Sequence, residues 1–257
     1  MPGSPKLEDA IDLLVVDDDP VGVHLLTAVL SRGGFAVRSA GGGQQALERV
    51  AERVPSLVLL DVRMPDVDGF EVCARLKADP ATAEVPVLFL SGLEDEQDRL
   101  RGFEVGGVDF VSKPYRAAEV LARVRTHLAL RRATLEARRA EARYRLVVDT
   151  LDLGLMLVDR DLRVEVLNHR MRDWFPPVDT SARPACRDAF RERCDDRACA
   201  LCPAPRALSD GARHQQLREI QTDHGVARLL VTALAVTNDR GEVTGVLQTI
   251  EDVTDRP

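Results

Sequence analysis

Asp61 stands at the end of an apolar run, Leu57-Val58-Leu59-Leu60, and the polar residues that end the neighbouring apolar runs suit one reaction. Ile11 to Val16 ends in Asp17-Asp18-Asp19, Val85 to Leu90 ends in Ser91, and Val108 to Val111 runs into Ser112-Lys113-Pro114. Three carboxylates (Asp17, Asp18, Asp61), a hydroxyl and an ammonium are the parts needed to transfer a phosphoryl group to a carboxylate. Clustered carboxylates repel unless a cation joins them. A hard divalent ion with oxygen ligands, Mg²⁺ above all, would relieve that and bridge to phosphate oxygens. The ion and Lys113 would offset charge on the transferring group, Asp61 would attack and hold an acyl phosphate, and Ser91 would donate to it.

Such a set works only if the elements carrying it converge. Short apolar runs that each end in a polar group read as parallel strands of an α/β sheet, whose functional groups gather at the carboxyl ends. Each signal alone is weak. An acidic triplet is usually a helix cap, and Asp19 before Pro20 reads as one. Lys-Pro pairs and serines after strands are common. Their joint occurrence, in order, carries the argument. Cys73 reads as a buried helix residue. Gly41-Gly42-Gly43 lacks the Lys-Ser/Thr of a phosphate loop and reads as a flexible turn before a helix over Gln44 to Arg53.

Residues 11 to about 130 resemble the receiver domain of two-component response regulators. The match rests on Val15-Val16-Asp17-Asp18, Asp61, Met64-Pro65-Asp66 with Asp68-Gly69, Ser91-Gly92, Gly107 with Asp109-Phe110, and Lys113-Pro114. The resemblance implies a doubly wound, flavodoxin-like α/β domain with a five-stranded parallel sheet. It implies Mg²⁺ held directly by Asp18 and Asp61, by Asp17 through water, and by the Arg63 backbone carbonyl. Phe110 matches an aromatic that changes rotamer as Ser91 moves toward the phosphate, and Pro114 a proline whose preceding bond is usually cis. The implied donor is a sensor histidine kinase.

The 257 residues allow one or two domains, and 45% hydrophobic with 30% charged residues is ordinary for a globular protein. No apolar stretch approaches the roughly 20 residues of a membrane helix. Met1 to Lys6 lacks a signal-peptide core, so a cytoplasmic location is expected. A net charge of −7 argues against nonspecific nucleic-acid binding by the whole chain. Residues 1–10 are expected to be disordered.

Ala117 to Leu130 reads as the last receiver helix, and the pattern continues without Gly or Pro to about Asp149, making 131–149 a helical linker. Leu121, Leu128 and Leu135 recur every seven residues, with Ala142 next. The second seam, Val124, Arg131, Arg138 and Arg145, is poor for a tight coiled coil. A homodimer through this helix and the following domain stays open. Arg131, Arg132, Arg138, Arg139, Arg143 and Arg145 form a basic run broken by Glu136 and Glu141; a solvated helix with internal ion pairs is favoured over a nucleic-acid patch.

Residues 150–257 read as two strands, a helical middle and three antiparallel strands, and resemble a PAS domain. The resembling segments are Leu151 to Asp159 with Val166-Leu167-Asn168, and Gly245 to Asp255. In the middle lie Cys186, Cys194, Cys199 and Cys202, four of the five cysteines. They could hold Zn²⁺ or an iron–sulfur cluster, or form a thiol–disulfide pair; a subset of PAS domains carries a similar Cys-x-x-Cys-Pro segment. His169 and His214 qualify as haem ligands only by residue type, Trp174 reads as core, and the flavin-type Asn-Cys-Arg is missing. No kinase, helix-turn-helix or cyclic-dinucleotide motif follows. The expected output is therefore protein–protein interaction with a downstream protein, from a phosphoacceptor that is not itself an enzyme. The rivals are a redox or metal sensor tuned by the receiver, and a nucleic-acid-binding regulator.

Overall fold

The computed structural model describes residues 11–92, 96–175, 177–190, 199–222 and 225–254, in two compact units that divide between Arg138 and Arg139. The first unit is built on β1 (Asp12–Val16), β2 (Ala36–Ala40), β3 (Leu57–Asp61), β4 (Val87–Ser91) and β5 (Asp109–Ser112). All pairings are parallel and the order is β2-β1-β3-β4-β5. Every residue of β1, β3 and β4 is buried, which is why these strands read as unbroken apolar runs rather than alternating ones. Odd and even positions feed two cores. Leu14, Val58, Leu60 and Phe89 enter one, and Leu13, Leu57, Leu59 and Leu88 the other.

Helices α1 (Pro20–Arg32), α2 (Gly43–Glu52), α3 (Gly69–Ala78) and α4 (Glu96–Glu104) cross between the strands. Asp19 caps α1 by accepting from Val21 and Gly22 N–H, and Pro20 opens the helix. Asp68 caps α3 through Glu71 N–H. At the amino edge, the buried Asp12 accepts from Arg38 Nε and Nη2, while Nη1 donates to the Arg49 carbonyl and Nη2 also to the Arg53 carbonyl.

Helix α5 spans Ala117–Thr150. Its regular leucines are not a free seam along their length: Val120 and Val124 are fully buried, and Leu121 and Leu128 pack beside them against the unit's own sheet. Arg131, on the expected second seam, is spent on the carbonyls of Pro55 and Ser56. The basic run is largely paired, through Arg132–Glu136, Arg145–Glu141 and Arg138–Glu84. These ion pairs are exposed and worth little. Arg132→Ala is expected to change stability by about 0.5 kcal/mol or less, checked by urea titration at low and high salt. Salt-sensitive binding of the full chain to duplex DNA would overturn the solvated reading.

The second unit carries β6 (Gly154–Asp159), β7 (Val164–Leu167), β8 (His214–Thr222), β9 (Gly225–Thr237) and β10 (Val243–Asp252), antiparallel in the order β7-β6-β10-β9-β8. Between β7 and β8 lie α6 (His169–Trp174), a 3₁₀ turn (Thr180–Ala182), α7 (Cys186–Ala189) and α8 (Pro203–Asp210). Alternate residues of β9 and β10 (Leu229, Val231, Ala233; Val246, Ile250) join Met156, Met171, Phe190 and Ala207 in one core. Asn168, 1% exposed, ties this unit together. Its Oδ1 accepts from Leu155 and Met171 N–H, and its Nδ2 donates to the carbonyls of Val148 and Leu153.

Candidate functional site

The carboxyl ends of β1, β3, β4 and β5 deliver Asp17 and Asp18, Asp61, Ser91, and Lys113 to one edge. Ligand atoms of Asp17, Asp18 and Asp61 lie within 4.8 Å of one another, the one such set of three or more metal-ligating side chains among the described residues. Three carboxylates at this spacing are a donor set that fits a hard divalent cation. Asp17 and Asp61 are buried, whereas Asp18 and Arg63 are exposed and line an adjoining pocket of about 440 Å³ with Asp68 and Arg101.

Lys113 is the counter-charge. Its Nζ lies 2.8 Å from Asp17 Oδ2 and 2.9 Å from Asp61 Oδ1. Burial disfavours the ammonium, but the hydrogen bonds to Asp17 and Asp61 outweigh it and hold its pKa above the ordinary lysine value. Burial raises the Asp61 pKa despite the hydrogen bond and charge of Lys113, and Asp17 adds to the rise. The peptide before Pro114 is cis. Lys113 N–H donates to the Ser91 carbonyl, so the two strand ends are held in register. Phe110 is turned inward, 4% exposed, stacked on Phe89 at 5.3 Å and edge-on to Phe103 at 5.3 Å.

Three contributors escape a reading of residue type and spacing alone. Tyr115 donates from its hydroxyl to Asp17 Oδ2 at 3.3 Å, and burial raises its own pKa. Gly69 lies under the acceptor: a Cβ there would sit 2.1 Å from the Asp61 backbone oxygen. Asp66 caps α2 from a distance, accepting from Gly43 and Gln44 N–H at 3.0 and 2.9 Å. Gly41 and Gly42 form the expected bend before the helix, which starts one residue earlier than the sequence suggests. Gly43 belongs to α2, and a Cβ on it would meet the Val67 carbonyl at 2.3 Å.

The hydrogen bond from Gln44, with others from neighbouring backbone N–H groups, lowers the Asp66 pKa to about 2. A depressed acid stabilises the fold above its unfolded value near 4 and stops doing so as pH falls toward 2. Asp66→Ala is expected to cost about 1 kcal/mol at neutral pH, as for an ordinary helix cap. That difference should vanish between about pH 4 and pH 2, read by parallel urea titrations.

In the second unit, Cys186, Cys199 and Cys202 are each partly exposed and line the same cavities, while Cys194 lies outside the described residues. The three described thiols do not gather within the 4.8 Å that joins the carboxylates. His214 pairs with Asp210 at 2.8 Å and His169 with Asp173 at 3.5 Å, and neither lines the cavity that holds the cysteines. Cys73 is fully buried in α3, which pushes its thiol up to about 11.

Fold and strand-edge geometry define a doubly wound α/β module with an acidic cluster at its carboxyl edge, followed by an α+β module on an antiparallel sheet. Residues 13–125 are a response regulator receiver domain and residues 148–257 carry a PAS fold. Over 116 residues the chain is 40% identical to the DNA-binding dual master transcriptional regulator RpaA of Synechocystis sp., covering 45% of this chain and 48% of that one. Over 130 residues it is 41% identical to response regulator PleD of Caulobacter vibrioides, covering 51% and 29%. The chain thus spans about half or less of the length of these curated relatives. A solved structure of the signal receiver domain of a signal transduction histidine kinase from Syntrophus aciditrophicus is 31% identical, with a TM-score of 0.45, over 47% of this chain and 91% of that one. No described helix is long and apolar enough to cross a membrane.

Proposed function

We propose that this chain accepts a phosphoryl group on Asp61 from a sensor histidine kinase and relays that state through the PAS domain to a partner protein. The observation that carries the reading is the trio Asp17, Asp18 and Asp61 within 4.8 Å, bridged on one side by Lys113. The carboxylate of Asp61 attacks the phosphorus of a phosphohistidine. The P–N bond breaks, its electron pair stays with the imidazole, and an acyl phosphate forms on Asp61. Lys113 offsets the negative charge that builds on the transferred group, and Ser91 donates to one of its oxygens. Asp18, Asp61 and the Arg63 carbonyl would hold Mg²⁺, with Asp17 behind them through water. When bound, the ion supplies positive charge against the phosphate oxygens. Phe110 is the side chain whose rotamer would report the Ser91 shift.

The test is incubation of the full chain with acetyl phosphate, with Mg²⁺ or with excess chelator, followed by intact mass. One added phosphoryl group, dependent on Mg²⁺ and removed by hydroxylamine, is expected. Equal labelling in chelator, or a hydroxylamine-resistant product, would sink the reading.

A further inference from the structure

The thiols of the PAS domain are not used by the phosphoryl chemistry, yet they share one place. Cys186, Cys199 and Cys202 line an apolar cavity of about 70 Å³ beside Phe190 and Leu229, and the same three line a second pocket of about 240 Å³. Gln248 lines both. The cysteines therefore form the partition between two spaces. Each is partly exposed.

Cys199 and Cys202 occupy one turn. Cys202 N–H donates to the Cys199 carbonyl at 3.1 Å, the spacing of a single i to i+3 turn. On such a turn the Cβ atoms lie about 5–6 Å apart, against about 3.5–4.5 Å across a disulfide. Closing the bond takes a movement of about 1–2 Å, well within a turn's reach. Cys202 is the N-cap of α8, and Pro203 at the first helical position keeps its backbone out of the α region, at φ −58° and ψ 132°. Its sulfur accepts from Gln248 Nε2 at 3.4 Å. Gln248 is 3% exposed on β10 and lines the cavity with Arg218 among mostly apolar side chains. One member of the pair is thus anchored to a helix start and to the sheet, and the other is its neighbour on the turn.

We propose that Cys199 and Cys202 are a reversible dithiol–disulfide pair, oxidised by small disulfides such as glutathione disulfide, and that closing it redraws the partition between the two cavities. One thiolate attacks a sulfur of glutathione disulfide and releases one glutathione thiolate. The second cysteine thiolate attacks the protein sulfur of the mixed disulfide and releases the second glutathione. Two cysteine thiols become one disulfide, and one glutathione disulfide becomes two glutathiones. Cys73, fully buried in the other unit, serves as the unreactive control.

The test uses the full chain, reduced, desalted and equilibrated in buffers of rising oxidised-to-reduced glutathione ratio. Acid quenching, maleimide alkylation and peptide mass spectrometry follow. The peptide holding Cys199 and Cys202 is expected to lose both labels and become about 2 Da lighter than its reduced form, reversibly on adding excess thiol. In Cys202→Ser the same peptide should instead carry glutathione on Cys199. Gln248→Leu keeps both cysteines and removes the donor to sulfur; its midpoint ratio should shift measurably. Retention of both labels at the most oxidising ratio would overturn the proposal. So would a disulfide joining either residue to a different cysteine, or a stoichiometric metal protecting them from label.

Discussion

Asp61→Asn is expected to lose phosphoryl acceptance while keeping its fold. The amide is nearly isosteric but cannot attack phosphorus, so acyl phosphate should fall by about 100-fold or more, to background. Folding should not suffer. Burial raises the Asp61 pKa in spite of Lys113. A raised acid contributes stability below its unfolded pKa and loses it as pH rises through the folded value. At neutral pH the ionised carboxylate therefore strains the ion-free fold, and a neutral amide removes that strain. Lys113 keeps its 2.8 Å bond to Asp17. Urea midpoints without divalent ion should be equal or higher in the variant. Labelling of Asp61→Asn at the wild-type level would move the acceptor elsewhere; lost labelling together with a collapsed midpoint would mean that the substitution had merely unfolded the site.

The largest stability loss is expected from Asn168→Ala in the PAS domain. The side chain satisfies two N–H groups and two carbonyls, from Val148, Leu153, Leu155 and Met171. Alanine strands all four around a residue 1% exposed. Each unsatisfied buried group costs about 1–3 kcal/mol. Water can recover some at the partly buried Leu153 end, so about 3 kcal/mol in total is expected. For a domain of this size that lowers the melting temperature by about 10–15 °C. Asn168→Asp separates the halves: it keeps an acceptor for the two N–H groups but turns a second oxygen toward two carbonyls. It should be nearly as damaging at neutral pH and recover as pH falls and the acid gains a proton. A melting temperature unchanged in Asn168→Ala would mean that the network is not what holds Val148 and β6 to the start of α6.

The receiver was readable because β1, β3 and β4 are buried on both faces and stop at polar residues. Strand ends and chemistry therefore coincide at Asp17, Asp61 and Ser91. What escaped depends on partners distant in sequence. Asp66 caps a helix that begins 23 residues earlier, and nothing local in Met64-Pro65-Asp66 announces it. Tyr115 follows Lys113-Pro114 closely, but only the turn of the chain after Pro114 brings its hydroxyl to Asp17. The leucine repeat of α5 left its partner open for a physical reason. A seven-residue recurrence describes a helix packed on a sheet as well as a helix packed on its twin, and Leu121 and Leu128 took the sheet. In the PAS domain the strand pattern was clear from alternation. The role of Asn168 was hidden, since a single buried amide leaves no periodic trace.

The two edges of the receiver sheet differ in their charge balance. At the amino edge, Asp12 is matched by Arg38 and Arg53. At the carboxyl edge, three carboxylates face one ammonium. Among the buried groups of that edge negative charge is in excess, with Arg63 and Arg101 only in the adjoining pocket, and every phosphoryl donor is an anion. On the proposed function, the receiver would be a lock that fails shut: short of divalent cation, it would turn donors away by repulsion before any chemistry begins.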